Sequence, residues 1–538
     1  MKIADASAWQ CLDTAHGRLW WLPSLRALRP THLDLSDPAA WARSQPGQWV
    51  AVLEQADRAL IMVDIACRTS VLFTRNPRAS ASDPSPWVIA TTSEALWPHM
   101  RAVRGDRQAA AEFRHLGFVS GTDTLVEGIH GASAGQIITL SASGFRVDYT
   151  VDREAATPRE ESAERYFARF GRRIEEACGR VLELAGDRQL LVPLSGGADS
   201  RLLVALLRRL GAANVTTFTY GVAGSREVEI SRRIAEGVGF TWHGVTIDPH
   251  QARRRWSEAS TADFLRATWS GRALPHIQDW YALGELARTG VMEPGAIVLP
   301  GHTIVGVYHD SYDPTFSPTR RLSRRQLHAE LAEHHYVLRS HPEYAELAAR
   351  PREQIAAFLD RWWGDEDPRY RAFVVGAYNV VERQAKYINN SMRAYEHFGC
   401  EWALPMLDRD VVDEWMRVPV DLIDPSRAAY VRWANEVYSE VTGSSADYFG
   451  SRVSQAPASA RSRVRAALAA TGLLEAASRT YGQVVSLRHP MAFEALRGPL
   501  NQAQYARRIM SGVTTLGVFA DLFVANRWVP GHAIVPED

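Results

Sequence analysis

The residues with the most chemical meaning in this chain stand together, at Ser195-Gly196-Gly197-Ala198-Asp199-Ser200. Two consecutive glycines let a backbone approach an anion closely and present its amide N–H groups. Ser195 and Ser200 add hydroxyl donors. Asp199 adds a carboxylate that phosphates would repel unless a cation bridged the two, so it is assigned to Mg²⁺. The bland alternative is a Gly-Gly turn with an N-capping Asp, and the flanking elements argue against it.

Those elements are a strand and a helix. The loop leaves the apolar run 189–194 and opens a helix with Leu202, Leu203, Leu206, Leu207 and Leu210 on one face. A helix start contributes further N–H groups and partial positive charge. A helix over 164–185 precedes this unit, and a strand over 215–220, a helix over 225–237 and a strand over 242–247 follow it. The β-α-β-α-β order implies a parallel, doubly wound sheet, and the remainder reads as mainly helical.

Residues 1 to 150 read as β-rich instead, with short apolar runs at 49–53, 59–63 and 70–74. The runs 136–140 and 145–149 flank Ser-Ala-Ser-Gly, a hairpin signal. The polar stretch 152–163, with Pro158, reads as a linker, giving domains over 1–151 and 164–538. The run 454–467 reads as a solvated loop or helix start.

Bulk composition narrows the classes. A chain of 538 residues with 46% apolar residues is long enough for two or more domains. Basic and acidic residues balance at 61 each, which gives no electrostatic case for nucleic acid or membrane partners. Lysine occurs only at Lys2 and Lys386, so lysine chemistry has two places to live. Four scattered cysteines, Cys11, Cys67, Cys178 and Cys400, lack metal spacing and suit a reducing compartment. With no signal-peptide pattern and no long apolar run, a cytoplasmic protein is expected.

The loop resembles that of the N-type ATP pyrophosphatases, which transfer AMP to an acceptor and release pyrophosphate. Two further stretches narrow the resemblance to asparagine synthetase B and its relatives. Residues 117–129, Gly-Phe-Val-Ser-Gly-Thr-Asp-Thr-Leu-Val-Glu-Gly-Ile, with Gly135, are similar to the segment closing that family's N-terminal glutaminase domain. Glu401-Trp-Ala-Leu-Pro-Met-Leu-Asp408 resembles its Glu-x-Arg-x-Pro-Phe-Leu-Asp motif, and 410–419 fits the helix after it. The relatives include β-lactam synthetases, lasso-peptide cyclases and amide-forming proteins of polysaccharide gene clusters, to which 386–399 look most similar. The resemblance implies an α/β fold: an Ntn-hydrolase-like αββα domain, a degenerate glutaminase here, then an adenine nucleotide α-hydrolase-like domain with a helical C-terminal region. It implies ATP and Mg²⁺ as cofactors and a small-molecule or peptide carboxylate as substrate, and leaves a homodimer open.

Departures from the family are as informative. Glutamine-dependent members carry Cys directly after the initiator Met, where the free α-amine acts as base. Lys2 stands there, and Cys11 is internal, so no glutaminase activity is expected. The second phosphate motif, Ser-Gly-x-Gly-x-Asp-Glu, is replaced by 296–306, which keeps Gly301, places His302 beside it and lacks the carboxylate, with Asp310 nearby. The lysine that neutralises the acyl-adenylate has no counterpart; Arg452 lies near its position, and Ala403 replaces the motif's arginine.

The ATP site is therefore assigned to Leu194, Ser195, Gly196, Gly197, Asp199, Ser200, Gly301, and the strand end Phe218 and Tyr220, whose backbone would read the base. Glu382, Tyr387 and Glu401 are candidates to accept the amine's proton, with Arg452 supplying charge. The expected activity is adenylation of a carboxylate, then attack by ammonia or an amine. The alternatives are an intramolecular cyclase of the β-lactam or lasso type, and an ATP- or AMP-binding pseudoenzyme acting as scaffold or regulator.

Overall fold

The computed structural model describes residues 1–537 except 23–33, 68, 78, 80–85, 152–156, 307–321, 340–348, 363–367, 424–426 and 446–481. The run 454–467, Arg452, Asp310 and the first part of the expected linker lie outside the described residues.

Among the described residues up to 149, ten strands form: β1 (Lys2–Ile3), β2 (Gln10–Thr14), β3 (Gly17–Trp21), β4 (Val50–Glu54), β5 (Arg58–Val63), β6 (Leu72–Arg75), β7 (Trp87–Ala90), β8 (Ile129–Gly131), β9 (Gln136–Ser141) and β10 (Gly144–Tyr149). They make a six-stranded antiparallel sheet, β10-β9-β5-β4-β3-β2, and a four-stranded sheet, β1-β7-β6-β8. Alternation along the strands assigns the faces. Val50, Val52, Ile61 and Val63 enter one core with Phe73, Val88 and Ile89 of the smaller sheet. Ala51, Leu53, Leu60 and Met62 form a second core with Trp41 of the helix Pro38–Ser44. The hairpin expected at 136–149 is present, Leu140 pairing with Phe145.

The helix Ala163–Ala185 leads into the second half; it starts one residue earlier than expected, capped by Ser162. A five-stranded, wholly parallel sheet follows: β11 (Leu190–Pro193), β12 (Val215–Gly221), β13 (Thr241–Thr246), β14 (Ile297–Val298) and β15 (Glu401–Trp402), in the order β13-β12-β11-β14-β15. The order reverses on either side of β11, a switch point that opens a crevice at the carboxyl ends of the strands. The chain is thus mixed α/β with a parallel sheet, as expected.

The two halves share buried polar contacts. The segment Val380–Ile388 winds as a π-helix and carries Glu382 and Lys386, both buried. Lys386 Nζ donates to Glu382 Oε2 at 2.5 Å, to the Gly121 carbonyl at 2.7 Å and to the Val119 carbonyl at 3.2 Å. Gly121 N–H donates back to Glu382 Oε1 at 3.2 Å. Residues 117–121, singled out in the sequence, are therefore a docking segment for the second half.

Candidate active site at the carboxyl edge of the parallel sheet

β11 is apolar because both faces of a parallel strand are covered; Leu191 and Val192 are fully buried. Its carboxyl end runs through Leu194, whose N–H donates to the Phe218 carbonyl at 2.8 Å, into the loop and the helix Ala198–Arg209. No side chain caps that helix, and Asp199 lies in its first turn. The loop's hydroxyls brace it from within. Ser195 N–H donates to Ser200 Oγ at 3.2 Å, Gly197 N–H to Ser195 Oγ at 3.2 Å, and the two hydroxyls stand 3.1 Å apart. Gly196 N–H points at the Glu227 carboxylate, 3.4 Å away, an anion already in the loop's field.

Gly301 is where the second segment meets the first. A Cβ there would lie 2.9 Å from Ser200 N and 3.0 Å from its Cα, so only glycine lets the end of β14 lie against the loop helix. Gly301 and the loop, expected to share a site, are in contact.

The cation beside the loop is one that sequence reasoning missed. Arg427 Nη1 donates to both oxygens of Asp199, at 2.9 and 3.1 Å. Arg427 sits at the start of the helix Ala428–Thr442 with φ at 56°, the left-handed region, disfavoured for a side chain of this kind. That helix packs along the loop helix, tied to it by Arg201, buried to 1% exposure, donating to Asn435 Oδ1 at 2.7 Å. Burial and the Asp199 charge push the Tyr430 phenol well above its ordinary range. No sequence pattern marks Arg427; it reaches the loop only through helix packing.

A polar cluster, also not foreseen except for His302 and Tyr220, gathers around Asp279. Asp279 accepts a hydrogen bond from the Tyr220 hydroxyl and one of 2.5 Å from the Tyr395 hydroxyl. Burial holds the His276 and His302 imidazoles down to about 4, and His302 also feels His276, Asp279, Asn389 and Asp199. The His276 ring lies 5.6 Å from that of Tyr387.

The remaining candidates fall elsewhere. Glu401 opens β15, pairing with Ile297, which pairs with Leu190; it sits at the amino edge, opposite the loop, 3.2 Å from Arg188. Its assignment as proton acceptor is corrected on that ground. Glu382 is likewise corrected: it is committed to Lys386 and Gly121 at the contact between halves. Burial pushes Tyr387 up to about 12, which removes it as a ready base, although it touches the cluster. Phe218 is fully buried with its carbonyl taken by Leu194, so neither its ring nor that oxygen reads a base.

Among the described residues no group of three or more His, Cys, Asp or Glu could hold a metal by itself. Asp199 in the first turn and the Glu227 carboxylate near Gly196 are the acids at the loop, and Mg²⁺ bound largely by substrate phosphates needs only one or two such carboxylates. No described helix is long and apolar enough to cross a membrane.

Two solved structures are similar over part of the chain. An NMN synthetase from Francisella tularensis is 14% identical, with 42% of this chain and 96% of that one covered, at a TM-score of 0.21. A predicted subunit of a tRNA methyltransferase from Methanocaldococcus jannaschii is 20% identical, with 27% and 64% covered, at a TM-score of 0.14. No curated protein matches significantly. The family model for asparagine synthase matches residues 172–423, which span the loop, Gly301 and the Glu401–Asp408 stretch. Residues 172–423 are accordingly an asparagine synthetase-like domain of the asparagine synthase family.

Proposed function

We propose that the chain uses ATP to adenylate a carboxylate and passes the acyl group to ammonia or another amine, releasing pyrophosphate and then AMP. The observation that carries this reading is the Ser195–Ser200 loop at the carboxyl edge of a parallel sheet, inside the asparagine synthase match. A carboxylate resists amines because its charge repels them and hydroxide leaves poorly. Attack of the carboxylate oxygen on the α-phosphorus breaks the bond to the β,γ-pyrophosphate and makes a mixed anhydride. The loop amides and the uncapped helix start oppose the charge that develops on the leaving pyrophosphate. A Mg²⁺ ion carried by ATP would be held by Asp199 and phosphate oxygens and would neutralise that same charge. Arg427, already on Asp199, is positioned to share the phosphate charge once the carboxylate is engaged.

Residues 1–151 serve in this reading as a retained glutaminase-like scaffold, with 164–538 as the synthetase unit. In this reading the nitrogen comes as free ammonia, an amine, or a group of the substrate itself.

Two observations favour a second reading, an ATP- or AMP-binding scaffold without turnover: the segment at Gly301 offers no carboxylate among its described residues, and Lys386 is locked between the halves. Pyrophosphate release from ATP·Mg²⁺, across a panel of carboxylates and amines, separates the two. Release that depends on a carboxylate and disappears in Asp199→Ala supports adenylation. ATP binding by calorimetry with no release across the panel supports the scaffold.

A further inference from the structure

Three guanidiniums crowd one carboxylate where the two halves of the chain meet. Asp521, on the helix Thr515–Val524, accepts from Arg339 Nη2 on one oxygen and from Arg508 Nη1, at 3.1 Å, on the other. Arg114 Nε stands 3.7 Å from the first oxygen, too far for a hydrogen bond. Arg114 lies in the last turn of the helix Arg107–Leu116 and Arg508 in the last turn of Gln502–Met510. Arg339 faces Val513 across an antiparallel bridge. Leu338 N–H donates to the His115 carbonyl at 3.1 Å, and the Leu338 carbonyl accepts from Thr514 N–H at 2.9 Å. These bonds thread the Arg339 segment between the other two arginines.

Structural roles account for part of the cluster. A cation at a helix carboxyl end offsets the helix dipole, and one arginine suffices to neutralise one aspartate. Neither role explains three arginines on one aspartate. Among the described residues none of the three pairs with a second carboxylate, so three positive charges face one negative. Like charges held this close repel. Their donors are also largely unspent. Each guanidinium brings five N–H groups. Arg339 spends one on Asp521 and one on the Arg114 carbonyl, Arg508 spends one, and the Arg114 side chain makes no hydrogen bond among the described residues. None of the unspent nitrogens is sealed from solvent. The surplus charge therefore calls for a dianion with several acceptor oxygens. A phosphoryl group near pH 7 has both, whereas one carboxylate leaves the cluster positive.

We propose that Arg114, Arg339 and Arg508 form an anion site for a phosphoryl dianion, free or carried by a small molecule, and that the bound anion ties the first half of the chain to the second. Arg114 comes from the first half, Arg339 and Arg508 from the second. Asp521 orients the guanidiniums and leaves most of their donors open. The site shares no residue with the Ser195–Ser200 loop, so it stands whether or not the chain adenylates a carboxylate.

The experiment titrates inorganic phosphate into the full chain by calorimetry at constant ionic strength, against Arg114→Gln and Arg508→Gln. The Ser195–Ser200 loop attracts phosphate too, so the site is read as the share of binding that the variants lose. Each variant should weaken that share about tenfold or more, the scale for losing a charge-assisted hydrogen bond. Arg114→Gln breaks no hydrogen bond to Asp521, which keeps the test open if Arg508→Gln is destabilised. Phosphate should raise the denaturation midpoint of the wild type more than that of Arg114→Gln, because a ligand of the folded state stabilises it. Sulfate should compete, and acetate should not. Glycerol 3-phosphate distinguishes the sources: tighter binding than inorganic phosphate assigns the site to a phosphorylated small molecule, weaker binding to the free ion. Phosphate affinity unchanged in both variants, no phosphate binding at all, or acetate competing as well as sulfate would overturn the proposal.

Discussion

Two cation–carboxylate pairs in this molecule look alike on paper and differ in every physical respect. Lys386 and Glu382 are sealed, with side-chain exposures of 0% and 7%. The ammonium's three protons go to Glu382, Val119 and Gly121, and Gly121 N–H answers the second carboxylate oxygen. Arg427 and Asp199 are 17% and 21% exposed, share a single Nη1 and sit at an uncapped helix start. Arg427 also holds a left-handed backbone that its side chain disfavours. A saturated, dry pair has nothing left to offer a ligand; it fixes how the halves dock. A strained, half-open pair at a phosphate loop is built to exchange partners.

The largest effect should come from the sealed pair. Lys386→Met leaves a buried carboxylate without its cation, which costs about 3–5 kcal/mol of stability. Removing both charges, as in Lys386→Met with Glu382→Leu, should recover much of that loss, since a dry apolar pair replaces the ionic one. Chemical denaturation of the three proteins reads this directly. If Lys386→Met unfolds at the wild-type midpoint, the pair is not the architectural element described.

Asp199→Ala should reverse the pattern, with stability close to wild type and pyrophosphate release reduced roughly 10²–10³-fold, the scale for losing a preorganised electrostatic contact. Arg427→Gln should reduce release less, with a higher KM for ATP. Loss of stability in Asp199→Ala comparable to that in Lys386→Met would erase the contrast between the pairs.

Gly301→Ala tests the ground between loop and cluster. Its Cβ would push Ser200's backbone, a shift costing about 1–3 kcal/mol for overpacking. Differential scanning calorimetry should show the lower midpoint, and ATP affinity should fall with it, because the displaced atoms belong to the loop. A variant with lowered stability and unaltered ATP affinity would detach Gly301 from the nucleotide site.

The parts of this site that were legible from sequence are those whose signals are local. The loop could be read because a short apolar strand, two glycines and a leucine-faced helix follow one another without interruption. Gln10–Thr14 was not legible as β2, because it is exposed along most of its length and its residues do not alternate. Arg427 and His276 gave no signal either. One reaches the loop through the packing that Arg201 and Asn435 secure, the other through the Asp279 cluster. Glu401 shows the opposite failure: its motif singled out the residue, but it predicted neither the two-residue strand that carries it nor which edge of the sheet its side chain serves. Only the register, Glu401 to Ile297 to Leu190, puts it at the amino edge.

The smallest expected effect concerns the protons that the open side of the site refuses. Burial holds His276 and His302 at about 4, below the ordinary 6.5. Above pH 6.5 both rings are neutral whether the chain is folded or not, and they add no pH dependence. As pH falls from 6.5 toward 4 the unfolded chain takes up protons that the folded rings decline, so stability is lost across that window and levels off, for these two groups, below it. Buried carboxyls lean the other way: burial raises Glu112 and Asp408, so their folded forms hold protons more readily than the unfolded chain as pH falls. The histidine contribution is therefore isolated by difference. Denaturant midpoints measured from pH 7 to 4.5 should fall further in the wild type than in His276→Gln/His302→Gln, which has no ring to protonate at either position. Parallel declines in the two proteins would mean that the imidazoles are not held neutral by the fold. The cluster around Asp279 would then be as freely hydrated as the protein's surface.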